Sequence, residues 1–212
     1  MTGRATNTPG MVLGTSEGRP YRFDPGALCL ELLVTGGPAA PTPYEVLDRP
    51  AALVRWAGES RLAPGLGAVL AVGEADVRAA RAVRDALLRI TADRAGGHRF
   101  GRPADACDFA VLNAAAAEAP LVARVGADGA REWAPGATGA QLLSTVARDA
   151  VDLFTGPYAD RIRECGTHNC YLLFVDTSRP GRRRWCAMER CGNLHKVRAH
   201  RARRTTAATT TP

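Results

Sequence analysis

Four of the six cysteines, Cys165, Cys170, Cys186 and Cys191, fall within 27 residues in the pattern C-x4-C-x15-C-x4-C. Two knuckles separated by a hairpin's length can bring four sulfurs around one ion, and zinc takes four tetrahedral donors at about 2.3 Å from sulfur. A segment of about 40 residues is too small to hold itself by core burial, so a metal there would organise its fold. Two disulfides, or a redox or iron–sulfur site, are rival readings of the same spacing. His168 and His195 could replace a cysteine as ligand, which four matched cysteines make unnecessary. Cys29 and Cys107 lie far away in apolar segments and read as inert core thiols.

The residues between the knuckles supply the means of closure. Tyr171 to Asp176 alternates as a strand, Pro180-Gly181 has the residue types of a type II turn, and Arg182-Arg183-Arg184-Trp185 is expected to return Cys186 toward Cys170. After Cys191, the stretch from Leu194 to Arg204 is basic and free of Gly and Pro. It reads as a helix with the last ligand at its N-terminus, where the macrodipole favours thiolate. Leu194 and Val197 would form a narrow stripe packing on the hairpin. Knuckle, hairpin, knuckle and helix describe a treble-clef-like finger. Four thiolates on one Zn²⁺ leave a formal −2, which neighbouring guanidinium groups would offset.

Charge separates this end from the rest. The net +7 of the 212 residues divides into +9 from Arg179 onward, ten basic residues against Glu189, and −2 over residues 1–178. Asymmetry of this kind points to a polyanion. Arg182, Arg183, Arg184, Arg190, Lys196, Arg198, Arg201, Arg203 and Arg204 are the candidate nucleic-acid contacts. Arginine forks suit phosphate oxygens and guanine edges, and a single basic helix fits a major groove. Tyr171, Phe174 and Trp185, if exposed together, would instead offer single-stranded RNA a stacking surface. A basic finger serving only as a protein-interaction scaffold is the third reading. Lys196 is the only lysine, and abundant Ala and Gly beside so many arginines suggest a high-GC bacterial source.

The body reads as mainly helical. Pro50 opens a helix to about Glu59, and Val77, Ala80, Val83, Leu87 and Ile90 step by three and four along a helix from Glu74 to about Asp93. Further helices are expected from Pro103 to about Glu118 and from Gln141 to about Phe154, the latter with Arg148, Asp149 and Asp152 outside. Gly126-Ala127-Asp128-Gly129 joins two short strand-like runs in a hairpin. Ala27 to Val34 is an apolar strand or short helix. The Gly-rich stretches lack the context of phosphate-binding loops. No serine, histidine and carboxylate set or paired carboxylates converge, so no enzyme is expected, and a catalytic cysteine partnered by His98 is disfavoured. No apolar run reaches a membrane-spanning length and the start is not a secretory signal, which makes the cytoplasm the expected location.

At the C-terminal end, Cys165, Cys170, Phe174-Val175-Asp176-Thr177-Ser178, Arg183-Arg184-Trp185-Cys186-Ala187-Met188 and Cys191-Gly192-Asn193 resemble the CGNR zinc finger of bacterial proteins. That finger follows a domain called ABATE, whose opening Leu-Cys-Leu-Asp-Phe-Val-Asn-Thr signature is similar to Leu28-Cys29-Leu30-Glu31-Leu32-Leu33-Val34-Thr35. The resemblance implies a stress-response transcription regulator that binds double-stranded DNA and holds one structural Zn²⁺ on the four cysteines. Leu194 stands where the finger's name has Arg, and Glu31, Leu32 and Val34 replace Asp, Phe and Asn, so no N-terminal ligand site is carried over.

The expected architecture is α+β, a mainly helical N-terminal domain with a β-hairpin followed by a small treble-clef-like four-cysteine finger. Residues 1–20 are expected to be disordered, 21–157 to form the ABATE-like domain, 158–204 the finger and basic helix, and 205–212 a disordered tail. The N-terminal domain would serve sensing or dimerisation; homodimerisation and a small-molecule effector are left open by the sequence.

Overall fold

The computed structural model describes residues 10–15, 17–38, 44–97 and 102–197. Three long helices carry the body: α4 (Glu74–Arg94), α5 (Ala106–Ala117) and α6 (Gly139–Thr155), packed on one another, with the short α1 (Leu28–Leu32) set against α6. The apolar stripe foreseen along α4 is buried from Val77 to Ile90. The helix starts are chemically defined. Gly73 donates its backbone N–H to Asp76 Oδ2 at 2.8 Å at the head of α4, and Thr138 and Gln141 bond reciprocally at 3.0 and 3.3 Å at the head of α6. Pro50 opens α2 (Pro50–Glu59), and α3 (Leu66–Val69) is a single turn leading into β3 (Leu70–Ala71).

The apolar run after Ala27 resolves as helix, α1 continuing into a 3₁₀ turn at Leu33–Thr35. Asp149 was expected on the outer face of α6, but its Oδ2 accepts the Cys29 N–H at 2.8 Å at the head of α1. A carboxylate satisfies an otherwise orphaned helix-start amide there. Cys29 is fully buried, and burial followed by the Asp149 charge pushes its thiol well above the ordinary range, as an inert thiol requires. Cys107 corrects the same expectation: it is exposed on the first turn of α5.

The sheets are small. β4 (Ala123–Val125) and β5 (Arg131–Trp133) form the expected antiparallel hairpin, and β3 pairs in parallel with β6 (Ala137–Thr138). An unexpected hairpin lies in the segment read as disordered. β1 (Met11–Gly14) pairs with β2 (Pro20–Phe23), and Met11, Tyr21 and Phe23 enter the core, so disorder over residues 1–20 is incorrect for the described positions 10–15 and 17–20. The tail 205–212 lies outside the described residues.

A second correction concerns the finger's hairpin. β8 (Leu173–Val175) does not pair with Arg182–Trp185; its antiparallel partner is β7 (Ile162–Glu164), upstream of the first knuckle. The polar groups of the returning segment are committed elsewhere: Arg183 N–H donates to Asp176 Oδ2 at 2.8 Å and Arg184 C=O accepts from Gly166 at 2.9 Å. Gly181 takes the left-handed φ of +62° that the turn needs.

Buried charges hold the helical layer together. Asp108, 2% exposed, accepts from Arg89 at 2.7 Å and from Arg102 at 2.7 Å. Burial alone would raise its carboxyl, but the two guanidinium groups and the Asp105 amide hold it down to about 2. Because the folded-state value is depressed, this contribution is full above the unfolded carboxyl value near pH 4 and is lost as pH falls toward about 2. Asp108→Ala should lower unfolding free energy by roughly 3 kcal/mol at pH 7. Urea denaturation should show the gap from wild type closing between about pH 4 and pH 2.

Candidate metal centre and nucleic-acid interface

The four finger cysteines come from four different pieces of chain. Cys165 follows β7, Cys170 closes the knuckle before β8, Cys186 ends the returning segment, and Cys191 sits in the helical segment Met188–Gly192, which has a wide π-type turn and continues as α-helix over 193–197. Each is buried, and their sulfurs lie within 4.8 Å of one another. Cys170 Sγ and Cys186 Sγ are 3.7 Å apart. A tetrahedron with zinc–sulfur bonds of about 2.3 Å has a sulfur–sulfur edge of about 3.8 Å, so the donor set and its spacing fit zinc. The cysteines are free rather than bridged, which removes the disulfide reading.

Backbone amides prepare the cluster. Cys165 N–H donates to Leu172 C=O at 3.0 Å and Cys170 N–H to Thr167 C=O at 3.0 Å, closing the knuckle, while Cys186 N–H points at Cys165 Sγ at 3.4 Å. Without a cation the sulfurs would compete for charge. Hydrogen bonds from Cys170 and Cys186 drive the Cys165 thiol far down, while the bond to Cys165 pushes Cys170 up to about 12 and the bonds to Cys165 and Cys170 push Cys186 higher still. A divalent ion removes this conflict by stabilising all four as thiolates. His168 and His195 lie outside the cluster; the His195 ring stacks on Trp185 with centroids 4.6 Å apart.

The basic residues divide into two groups. Arg182, Arg184 and Lys196 are exposed. Arg183 is turned inward: its Nη2 donates to Cys186 C=O and to Asp24 C=O at 3.1 Å, its Nε to Trp185 C=O, and its guanidinium lies 4.2 Å from the Phe174 ring centroid. Burial lowers its proton affinity. Arg190 is half-buried, donating to Tyr21 Oη at 2.7 Å beside Cys170 Sγ at 4.0 Å. Arg183 is therefore held largely by the finger and its seam with Asp24, and Arg190 spends one Nη on Tyr21 of β2, so neither presents its whole guanidinium to solvent as Arg182 and Arg184 do. Arg198, Arg201, Arg203 and Arg204 lie outside the described residues. Leu194 and Val197 do not pack on the hairpin; they are 46% and 49% exposed.

Arg163, on β7, was missed by the sequence reading because it precedes the first cysteine. It is exposed and lines a shallow groove with Glu164, Gly166, Gly181, Arg182, Arg184 and part of Arg183. Its Nη1 is anchored by the carbonyls of Asp160 and Ile162 at 2.7 and 2.8 Å. The aromatic trio does not form a stacking platform, since Phe174 is fully buried under Arg183 and Trp185 lies half-buried against His195.

Comparison with protein families agrees with this anatomy. The CGNR zinc finger model matches residues 161–204, and the ABATE model, described as "putative stress-induced transcription regulator", matches residues 26–157, more than half of the chain. The chain belongs to the ABATE family. No curated protein matches it. In this ABATE chain the signature acid Glu31 is fully buried and accepts from Arg61 N–H at 2.8 Å and Arg61 Nε at 3.0 Å. Burial raises its carboxyl and Arg61 opposes the shift. Its role is to hold the chain after α2 against α1. Among the described residues no helix is long and apolar enough to cross a membrane.

The ABATE chain's finger should bind one zinc per chain by elemental analysis. Cys186→Ser should lower that content and release the native tertiary signal of Trp185 in near-ultraviolet circular dichroism. A chelator should have the same effect on wild type, reversed by added zinc.

Proposed function

We propose that this protein is a DNA-binding transcription regulator, its finger gripping the duplex and its helical domain serving sensing or dimerisation. The observation that carries the reading is the arginine-lined groove beside the metal centre, where Arg163, Arg182 and Arg184 stand exposed on a metal-braced scaffold. Guanidinium forks held on rigid backbone suit phosphate oxygens. Lys196 extends the cationic surface onto the finger helix, toward the basic positions 198, 201, 203 and 204. The family description agrees with a regulatory role.

Double-stranded DNA is favoured over RNA because burial of Phe174 removes the stacking surface that single-stranded bases would need. Exposed Phe109 and Val111 on α5 give the helical domain apolar area for self-association. The reading assigns the chain no catalytic step and a cytoplasmic location in a bacterium.

Fluorescence anisotropy on random duplex and single-stranded oligonucleotides across a salt series tests it. If Arg163, Arg182, Arg184 and Lys196 each neutralise one phosphate, log K should fall against log salt with a slope of about −3.6, steeper if the following basic residues join. The double variant Arg182→Ala/Arg184→Ala should flatten the slope by about 1.8. Absence of binding, or affinity indifferent to salt and to these changes, would overturn the proposal.

A further inference from the structure

A cavity of about 440 Å³ lies where the N-terminal hairpin, α1 with its 3₁₀ turn, and the first knuckle meet. Its size falls within the roughly 300–1,000 Å³ of small-molecule sites. Apolar side chains, among them Leu30, Leu33, Val34, Leu88 and Leu172, make up a little over half of the wall. On one side Arg190 meets the Tyr21 hydroxyl at 2.7 Å, and Tyr44, Tyr171 and Asn169 also line the cavity. Apart from the zinc ligand Cys170, Arg190 is the one charged side chain among the described residues lining it.

The donors on that side are partly uncommitted. Arg190 uses Nη1 toward Tyr21 Oη at 2.7 Å and Cys170 Sγ at 4.0 Å, and its Nε and Nη2 meet no acceptor among the described residues. Tyr21 accepts from Arg190, which leaves its own hydroxyl proton available to a ligand. A cation and a phenol donor at the end of an apolar chamber complement one kind of molecule, an apolar body with a single carboxylate.

We propose that this cavity binds a small apolar monocarboxylate, with Arg190 and Tyr21 holding the carboxylate and the α1 face holding the body. The site joins the two parts of the chain. Leu30, Leu33 and Val34 belong to the helical domain, whereas Asn169 to Leu173 and Arg190 belong to the finger. Occupancy therefore acts on the guanidinium that also neighbours Cys170, which gives the sensing role a physical route; only this regulatory consequence rests on the DNA-binding reading.

Titration calorimetry of the zinc-loaded full chain with octanoate and with octanamide, no DNA present, reads the site directly. Octanoate should bind saturably at one site, and octanamide at least about tenfold more weakly, since a charged hydrogen bond is lost. Arg190→Gln should weaken octanoate by a similar factor. Val46→Trp enlarges a wall residue that is 37% exposed and so tolerates substitution; it should narrow the chamber and abolish binding with zinc content and far-ultraviolet circular dichroism unchanged. No saturable heat, equal affinity for the amide, or full binding by Val46→Trp would overturn the site while leaving the DNA reading intact. Anisotropy on duplex DNA with and without saturating octanoate tests the coupling. A change of about fivefold or more is expected, and unchanged affinity would overturn the regulatory role.

Discussion

Four buried sulfurs within 4.8 Å of one another cannot all ionise unless a cation sits among them. This constraint governs the C-terminal part of the chain. The pieces that donate the sulfurs, the end of β7, the knuckle before β8, the returning segment ending at Cys186 and the start of the finger helix, share few regular backbone pairs. A three-residue ladder between β7 and β8 is the only sheet among them in the described residues. Zinc binding supplies the free energy that so small a core cannot, and it makes folding of the finger conditional on metal.

The finger is nonetheless not a bead on a string. β8 is buried along its whole length, and Val175 N–H donates to Pro25 C=O at 2.8 Å in the helical part of the chain. Gly26, at φ +89°, leaves room for that approach: a Cβ there would stand 3.2 Å from Val175 Cβ. Arg183 closes the seam by reaching Asp24 C=O and Cys186 C=O together, and Arg61 binds both Asp24 and Glu31 on the other side. A chain of polar contacts thus runs from the opening signature to a zinc ligand. Any movement of α1 must either be passed to the finger or break these bonds.

Legibility of the sequence followed the range of the interactions. α4 and α6 were readable because their apolar spacing is local and long, and the metal ligands because a tetrahedral site imposes paired knuckles on the sequence itself. The β1–β2 hairpin was not, since four-residue strands among Thr, Gly and Pro carry only the alternation of Tyr21 and Phe23 as a signal. The finger hairpin was assigned the wrong partner because the alternating run and the turn after it are compatible with either neighbour. What decides is where the Arg183 amide finds its acceptor, Asp176, and that is a tertiary fact. Asp149 and Cys107 went astray for the same reason: a helix face, or an apolar stretch of sequence, is a local property, while burial depends on what is packed against it.

Charge counting has a similar limit, and correcting it alters how the finger should be understood. Guanidinium groups crowded along one sequence are not one surface. Arg183 and Arg190 face the zinc-binding cysteines and the domain seam, where four thiolates on a divalent ion leave a formal −2 to be balanced. Arg163, Arg182, Arg184 and Lys196 face solvent, on a groove and a helix that the metal keeps rigid. The Arg that gives the related fingers the last letter of their name is Leu194 here, and this side chain is half exposed rather than packed. An arginine at that position would add to the outward set, not to the inward one. Its replacement therefore subtracts one cation from the finger's surface, so the inward arginines can be constrained by folding while the outward ones vary with what the finger binds.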